Sequence, residues 1–311
     1  MVLLQLLLLV FCGWILSLSA MLILRSVTLL SHRFRIKSYI LAFFLLGLAT
    51  STPEFFVALQ SMADGVPQLA VGTLIGGSIL LLSFVMGLSA VILGRIRLDH
   101  SMNFDELVLG CFVFASPIVV LWDGVLTRSD GLFLVGIYAL HILVINRREH
   151  VIGTIENQIN HSGHWILELG KVIGGLCMLA LSSKAIIELA EIIVTTLGIP
   201  VFVFGLFVLS VGVNLPELAL AWHSIREKRQ SIAFGDFLGS GAANALILGM
   251  ICLLSPTTLG SREQLTFALV LLGTLVAFFI WAVHSKREIS RREGMGLLLF
   301  YILFLMFELM R

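Results

Sequence analysis

Two glutamates stand inside apolar stretches of the chain, and a proline directly precedes each of them. The first stretch, A-T-S-T-P-E-F-F-V-A, contains Pro53 and Glu54, and the second, G-V-N-L-P-E-L-A-L-A, contains Pro216 and Glu217. A carboxylate inside a membrane segment is costly and by default marks an ion path or a proton relay. Calcium takes six to eight oxygen ligands from carboxylates, carbonyls and water. The pair therefore predicts a cation site with Glu54 and Glu217 as its charged ligands.

The prolines supply a second kind of ligand. Proline cannot donate a hydrogen bond to the carbonyl four residues earlier and collides with it, so a helix kinks or breaks there. Pro53 should free the carbonyl near Ala49, and Pro216 the carbonyl of Gly212. Non-helical backbone at membrane depth persists only where it is buried in protein or lines a cavity. Each break is therefore expected to add carbonyl oxygens to the site beside its glutamate.

The elements that hold these residues are membrane-spanning helices. The composition is 59% hydrophobic and 13% charged, whereas a soluble domain is about 25% charged. Apolar runs of about 20 residues, the length that crosses a bilayer, recur along the chain, and they are continuous rather than alternating as in strands. We predict an all-α membrane protein with ten transmembrane helices. The spans lie near residues 2–24, 38–61, 67–93, 104–122, 131–146, 164–190, 198–225, 231–255, 264–284 and 294–310.

Basic residues set the orientation of these spans. Of the 20 Lys and Arg residues, 16 lie in or beside the loops that follow the odd-numbered spans. Loops rich in Lys and Arg stay in the cytoplasm. We therefore predict that both termini lie on the outer side, and we expect an integral protein of the plasma membrane.

The chain repeats itself at an offset of 163 residues. The offset relates Pro53 and Glu54 to Pro216 and Glu217, and it also relates Ala58 to Ala221, Gly72 to Gly235 and Gly76 to Gly239. Each copy belongs to a half of five spans, and an odd number of spans turns the second half upside down. Inverted repeats with interrupted helices and a site at the midplane are typical of secondary transporters. We therefore expect Glu54 and Glu217 to face each other near the midplane.

The repeat also divides the chain. We predict a first inverted repeat at 1–147 with its repeated motif at about 41–94, and a cytoplasmic connector at 148–163. A second inverted repeat is predicted at 164–311 with its motif at about 201–255.

The motifs G-T-L-I-G-G-S and G-D-F-L-G-S-G follow the two glutamates in spans three and eight. Their small residues predict close helix packing. In span eight, Asp236, Ser240 and Asn244 recur every four residues and so share one face of the helix. The equivalent positions of span three are Thr73, Gly77 and Leu81. The second repeat thus offers more side-chain oxygens, and an asymmetric site is expected.

At these motifs the chain resembles the sodium/calcium exchanger family of the calcium/cation antiporter superfamily. The two repeats of that family read approximately G-T-S-x-P-E and then G-N-x-I-G-S-N-I-x-N or D. The resemblance spans both repeats and the ten-span layout, and it implies that Glu54 and Glu217 are shared cation ligands. Thr50 and Ser51 match the threonine and serine of the first repeat, and Ser240 matches the serine of the second.

Several positions depart from the family pattern. Val213 and Asn214 stand where the second repeat usually has Thr-Ser, although the Val213 carbonyl can still coordinate an ion. Asn244 stands where some members have an acid, and Asp236 where an asparagine is usual. In the first repeat, Gly77 replaces a serine and Leu81 an asparagine. The resemblance therefore implies an intact divalent-cation site and fewer auxiliary sodium ligands.

The function expected from this resemblance is secondary antiport of calcium against sodium by alternating access. A proton-coupled exchanger of calcium or another divalent cation, on the same fold, is the alternative. An intramembrane protease is a remote alternative, since two membrane carboxylates can form an acid–base dyad. No enzymatic activity, no cofactor and no nucleic-acid partner are expected. The expected partners are the lipid bilayer and the transported cations: calcium with sodium or protons.

Overall fold

The computed structural model describes residues 2–33, 51–97, 104–146, 165–218, 221–222, 230–260, 262–286 and 288–310. Ten helices lie within these residues, and they match the predicted spans in order and number. α1 and α6 extend several residues past their predicted ends, and residues 38–50 of the second predicted span lie outside the described residues. The helices are α1 Val2–Arg33, α2 Thr52–Ala63, α3 Pro67–Leu93, α4 Phe104–Leu121, α5 Arg128–Asn146, α6 Trp165–Leu197, α7 Val201–Val213, α8 Gln230–Leu254, α9 Arg262–Lys286 and α10 Arg291–Met310.

Four of the described helices are long and apolar enough to cross a membrane by length and composition. Their apolar parts are Leu3–Ile23, Pro67–Leu93, Ile166–Leu197 and Arg262–His284. Three shorter apolar helices lie at Leu107–Leu121, Val201–Val213 and Leu238–Leu254. The chain is an all-α membrane protein whose helices form two inverted repeats of five.

The starts of α5 and α10 are capped in the same way. The Thr127 amide and hydroxyl donate to Asp130 Oδ2 at 2.8 and 2.5 Å, and the Ser290 amide and hydroxyl donate to Glu293 Oε2 at 2.7 Å each. In return, the Asp130 amide donates to Thr127 Oγ1 and the Glu293 amide to Ser290 Oγ. These are reciprocal capping boxes. The offset of 163 residues relates the two boxes, so the repeat extends to the hydrogen bonds that start its helices.

Four short strands, which the sequence did not predict, join the two halves. β1 (Arg95–Arg97) pairs with β4 (Glu288–Ser290), and β2 (Val125–Leu126) pairs with β3 (Thr257–Thr258), both antiparallel. β1 follows α3 and β3 follows α8, while β2 and β4 precede α5 and α10, so the repeat exchanges one ladder for the other. Each ladder therefore takes one strand from each half. The strands lie between the apolar runs, where hydrophobic periodicity gives no signal.

α3 and α7 cross at glycines, as the motif predicted for α3. A β-carbon added to Gly76 would overlap the carbonyl oxygen of Leu206, and one added to Gly72 would overlap that of Phe202. Small residues allow helix backbones to approach this closely in a membrane. The packing role is confirmed for Gly72 and Gly76. It does not extend to Gly239, where an added β-carbon would meet no atom of the described residues within 4 Å.

A second glycine crossing occurs once in each half. A β-carbon on Gly131 would lie 2.7 Å from the Gly249 carbonyl oxygen, and one on Gly294 would lie 2.9 Å from that of Gly87. Gly131 and Gly294 are 163 residues apart, but Gly87 and Gly249 are 162 apart. The additional residue of the first half falls in α3, which is π-helical over Leu80–Val85. A π-helical turn holds more residues than an α-turn, and it therefore keeps the two crossings equivalent.

α1 and α6 pack along each other and carry their own buried cluster, which includes Leu16 and Ile187. Large apolar side chains on the outer surfaces of both helices are exposed, as expected for contact with lipid. On α6, Lys184 Nζ lies 4.0 Å from Glu188 Oε1, and both side chains are about 60% exposed. Lys184 therefore forms the local pair that its spacing favours.

The α3–α7 crossing can be tested by adding one carbon. We expect Gly76→Ala to destabilise the purified protein by about 1–3 kcal/mol, because overpacking forces backbone shifts of this cost. The measurement is thermal unfolding in detergent. Gly136→Ala in α5 is the control, since its β-carbon would meet no described atom within 4 Å. The control should be neutral or slightly stabilised by the higher helix propensity of alanine. Equal unfolding temperatures for Gly76→Ala and the parent would contradict the crossing.

Candidate cation site

The backbone has the same conformation at the two predicted breaks. Ser51, directly before α2, has φ −86° and ψ 12°, and Asn214, directly after α7, has φ −89° and ψ 16°. These angles lie in the sparsely populated region between helical and extended backbone, where many active-site residues sit. Ser51 and Asn214 are related by the offset of 163 residues. The two halves therefore carry one local structure twice.

The prolines explain where the helical hydrogen bonds resume. After the first break, the Phe55 amide donates to the Ser51 carbonyl at 3.1 Å, and after the second, the Leu218 amide donates to the Asn214 carbonyl at 3.0 Å. Pro216 has no N–H to donate to the Gly212 carbonyl four residues earlier. The oxygen of that carbonyl lies 3.8 Å from the place of a β-carbon on Gly13, so it faces α1.

Both predicted carboxylates are buried. Glu54 is 1% exposed and Glu217 is 0% exposed. Glu54 lies in the first turn of α2, where the positive end of the helix dipole favours a negative charge. α2 also contacts the last turn of α7, Ser210–Val213, which precedes the break before Glu217. The fold thus brings together the two segments that carry the glutamates. A buried charge is tolerated only where it is paired, hydrogen-bonded or bound to a metal.

Neutral oxygens are buried at both breaks. Ser51 Oγ and Asn214 Oδ1 are inaccessible to solvent and have no hydrogen-bond partner among the described residues. The Asn214 amide nitrogen donates to the Ser210 carbonyl at 2.8 Å, which fixes the side chain. Val213 is buried beside it. A buried acceptor without a donor costs about 1–3 kcal/mol, so both oxygens are suited to a ligand that brings positive charge.

The remaining predicted ligands lie on or before the helices that follow. Ser240 and Asn244 of α8 are buried, at 2% and 3% exposed. Asp236 lies on α8, but its side chain is outside the part of the chain that the structure describes, and so is Thr50.

Asn244 connects α8 to α3. Its amide nitrogen lies 3.4 Å from the Leu74 carbonyl oxygen and 3.3 Å from Ser78 Oγ, and donates to both. Ser78 was not selected by the sequence reasoning, because its counterpart in the second motif is Gly241 and the repeat drew attention to matching positions. The contact shows that one face of α8 is held against the motif of α3.

Gly77 lies where two asparagine side chains meet. A β-carbon at Gly77 would stand 2.8 Å from Asn214 Nδ2 and 3.3 Å from Asn244 Nδ2. The structure thus brings residues of α3, α7 and α8 to one place. The hydroxyl of Thr73, on the same predicted face of α3, instead donates to the Leu69 carbonyl of its own helix at 2.7 Å. Leu81 is fully buried and has no polar atom in its side chain.

These groups form a set of hard oxygen donors in a buried place. The set comprises two carboxylates, amide and hydroxyl oxygens, and carbonyls released by prolines. Calcium and sodium bind oxygen ligands of these kinds, and two carboxylates balance the charge of one divalent cation.

Comparison with known proteins identifies the lineage of this fold. A model of the family described as sodium/calcium exchanger protein matches residues 4–146 and 168–310, one match in each half. The inner membrane protein YrbG of Escherichia coli (strain K12) is 27% identical over 290 residues, which is 88% of this chain and 86% of YrbG.

Two solved structures share the fold. The H+/Ca2+ exchanger CAX superposes with a TM-score of 0.77 at 19% identity, over 98% of this chain and 82% of CAX. The sodium-calcium exchanger NCX_Mj superposes with a TM-score of 0.62 at 21% identity, over 97% of this chain and 98% of NCX_Mj. Because the family model covers most of both halves, the chain belongs to the sodium/calcium exchanger protein family.

Proposed function

We propose that this protein exchanges calcium against sodium by alternating access across the membrane. The observation that carries the proposal is the pair of equivalent proline breaks, each followed by a buried glutamate. The backbone angles at Ser51 and Asn214 agree within a few degrees, and Glu54 and Glu217 are both almost completely buried. Two such segments in opposite orientations suit one cation site that either side of the membrane can reach in turn.

Calcium fits the charge and the ligands of the proposed site. In this proposal Glu54 and Glu217 neutralise the divalent ion, while the carbonyl of Val213 and the oxygens near Thr50 complete its coordination. A passive channel fits less well, because conduction requires sites weak enough for fast release. A family of antiporters also favours transport over the intramembrane protease that the carboxylate pair alone left open.

Sodium is the proposed counter-ion because neutral oxygens surround the carboxylates. Ser51 and Asn214 at the breaks and Ser240 and Asn244 on α8 are buried. Asp236 would lie one turn before Ser240 on the same helix face. When sodium replaces calcium, these oxygens would share the coordination with the two glutamates.

Protons are the second candidate counter-ion. The first repeat lacks side-chain oxygens at Gly77 and Leu81, which reduces the number of sodium ligands, and each of two buried carboxylates can carry one proton. Among the structures with this fold, one is an H+/Ca2+ exchanger and another a sodium-calcium exchanger. The fold is therefore compatible with either counter-ion.

The shared-ligand role predicts the effect of removing one charge. We expect Glu54→Gln and Glu217→Gln each to lower calcium uptake into proteoliposomes by about 100-fold or more, because the ion is left under-neutralised in a medium of low dielectric constant. Glu168→Gln is the control, since that carboxylate is also buried but pairs with Lys171 at the other end of α6. Its uptake should equal that of the parent. Uptake near the parent rate in either Glu54→Gln or Glu217→Gln would contradict the role.

The counter-ion can be decided by driving calcium flux with one gradient at a time. A sodium gradient at constant pH should drive calcium exchange, and a pH gradient without sodium should not. Ser240→Ala should raise the sodium concentration for half-maximal exchange several-fold, because it removes one oxygen ligand. Ser89→Ala is matched to it, since the Ser89 hydroxyl is buried in α3 and donates to the Val85 carbonyl of its own helix. Exchange driven by pH alone would replace sodium with the proton.

The proposed orientation places both termini outside and the connector in the cytoplasm. Single cysteines at Asp64, between α2 and α3, and at Ser162, in the connector, would test it in a variant without the four native cysteines. We expect an impermeant maleimide to label Asp64→Cys in intact cells and Ser162→Cys only after lysis, because cytoplasmic loops carry the positive charge. The reverse pattern would overturn the orientation, and labelling of neither position in intact cells would contradict the plasma membrane as the location.

A further inference from the structure

Gly77 differs from the glycines that pack α3 against its neighbour. At Gly72 and Gly76, an added β-carbon would collide with the backbone of α7, so these glycines are required by the close contact of two helices. At Gly77, the nearest atoms are the side-chain nitrogens of Asn214 at 2.8 Å and Asn244 at 3.3 Å. The space beside Gly77 is therefore filled by side-chain amides rather than by a helix backbone.

The Asn214 amide is held with its oxygen available. Its nitrogen donates to the Ser210 carbonyl at 2.8 Å, the residue is 1% exposed, and Oδ1 has no hydrogen-bond partner among the described residues. Asn214 also lies at the proline break, three residues before Glu217. An amide oxygen buried in this way beside a buried carboxylate is a ligand for a cation.

The other half of the molecule carries the same pair of positions with different residues. The repeat relates Asn214 to Ser51 and Gly77 to Ser240, so one half pairs asparagine with glycine where the other pairs serine with serine. Each pair contains four side-chain atoms other than hydrogen: four and none for asparagine and glycine, two and two for the serines. Ser51 Oγ, like Asn214 Oδ1, is buried without a partner among the described residues. The volume is the same in both places, and only its distribution between the two helices differs.

We propose that Asn214 and Gly77 are a compensating pair, in which Asn214 Oδ1 is a cation ligand and Gly77 is the positioning residue that leaves room for its amide. The proposal rests on the proposed function, since it deepens the description of the same site. The amide supplies from α7 the oxygen that a side chain on α3 would otherwise supply. Neither residue can then be exchanged singly without loss, whereas both can be exchanged together.

The pair predicts that the sign of one substitution depends on the other. Gly77→Ser in the parent should weaken calcium binding about tenfold or more, because its β-carbon displaces the amide that acts as ligand. Asn214→Ser should weaken binding to a similar extent, because a serine on α7 does not reach the space beside Gly77. In the double variant Gly77→Ser/Asn214→Ser, which reproduces the serine pair of the other half, the second serine should strengthen binding relative to Asn214→Ser alone.

The experiment is calcium titration calorimetry of the purified full-length protein in detergent, with thermal unfolding of each variant as a second readout. Gly77→Ala is included because it adds only the β-carbon. Since the displaced atom is the end of a side chain, Gly77→Ala should unfold within a few degrees of the parent and still bind calcium more weakly. Gly136→Ala is the matched glycine control on α5, where no described atom lies within 4 Å, and its affinity for calcium should equal that of the parent.

The outcomes separate the pair from the proposed function. A double variant that binds calcium no better than Asn214→Ser overturns the pair, and so does Gly77→Ala with the affinity of the parent. If in that case Glu217→Gln still abolishes binding, the proposed function stands without the pair. A parent protein that binds no calcium overturns both.

Discussion

The cost of holding two carboxylates in the interior of a membrane protein governs the rest of this structure. Such charges persist only where counter-charge or hydrogen-bond donors compensate for the lost water. The chain meets this requirement with the same device in both halves: a proline releases backbone oxygens, and a glutamate follows at once. Because the device places negative charge and carbonyl oxygens together, the site is stable only with cations present. Binding and release of cations are therefore built into the local backbone.

Close helix packing is the condition under which this device works. Lipid gives little hydrophobic drive for helices to associate, so association depends on shape, and small residues permit the closest contact. Gly72 and Gly76 bring α3 against α7 just before the break at Asn214, and Asn244 ties α8 to α3 through Leu74 and Ser78. The helices that carry ligands are thus fixed to one another by contacts that leave little freedom for the ligand positions.

The sequence was sufficient for features that depend on local chemistry. Proline chemistry predicted both breaks, and apolar length predicted the spans. It was insufficient where a feature depends on contact between distant segments. The π-helical segment Leu80–Val85 absorbs one residue so that Gly87 still meets Gly294, and no local pattern announces that need. The role of Gly77 was hidden for the same reason: only the approach of Asn214 from α7 distinguishes it from Gly76, one position earlier.

The asymmetry of the two halves follows from this division of labour. Backbone features recur faithfully, as in the angles at Ser51 and Asn214 and the capping boxes of α5 and α10. Side chains around the carboxylates do not, because the scaffold constrains their summed volume more tightly than their identity. Serine beside serine and asparagine beside glycine fill equivalent spaces with different oxygens. A transporter of this architecture can therefore change the cations that compete for its glutamates while the inverted scaffold and its breaks stay the same.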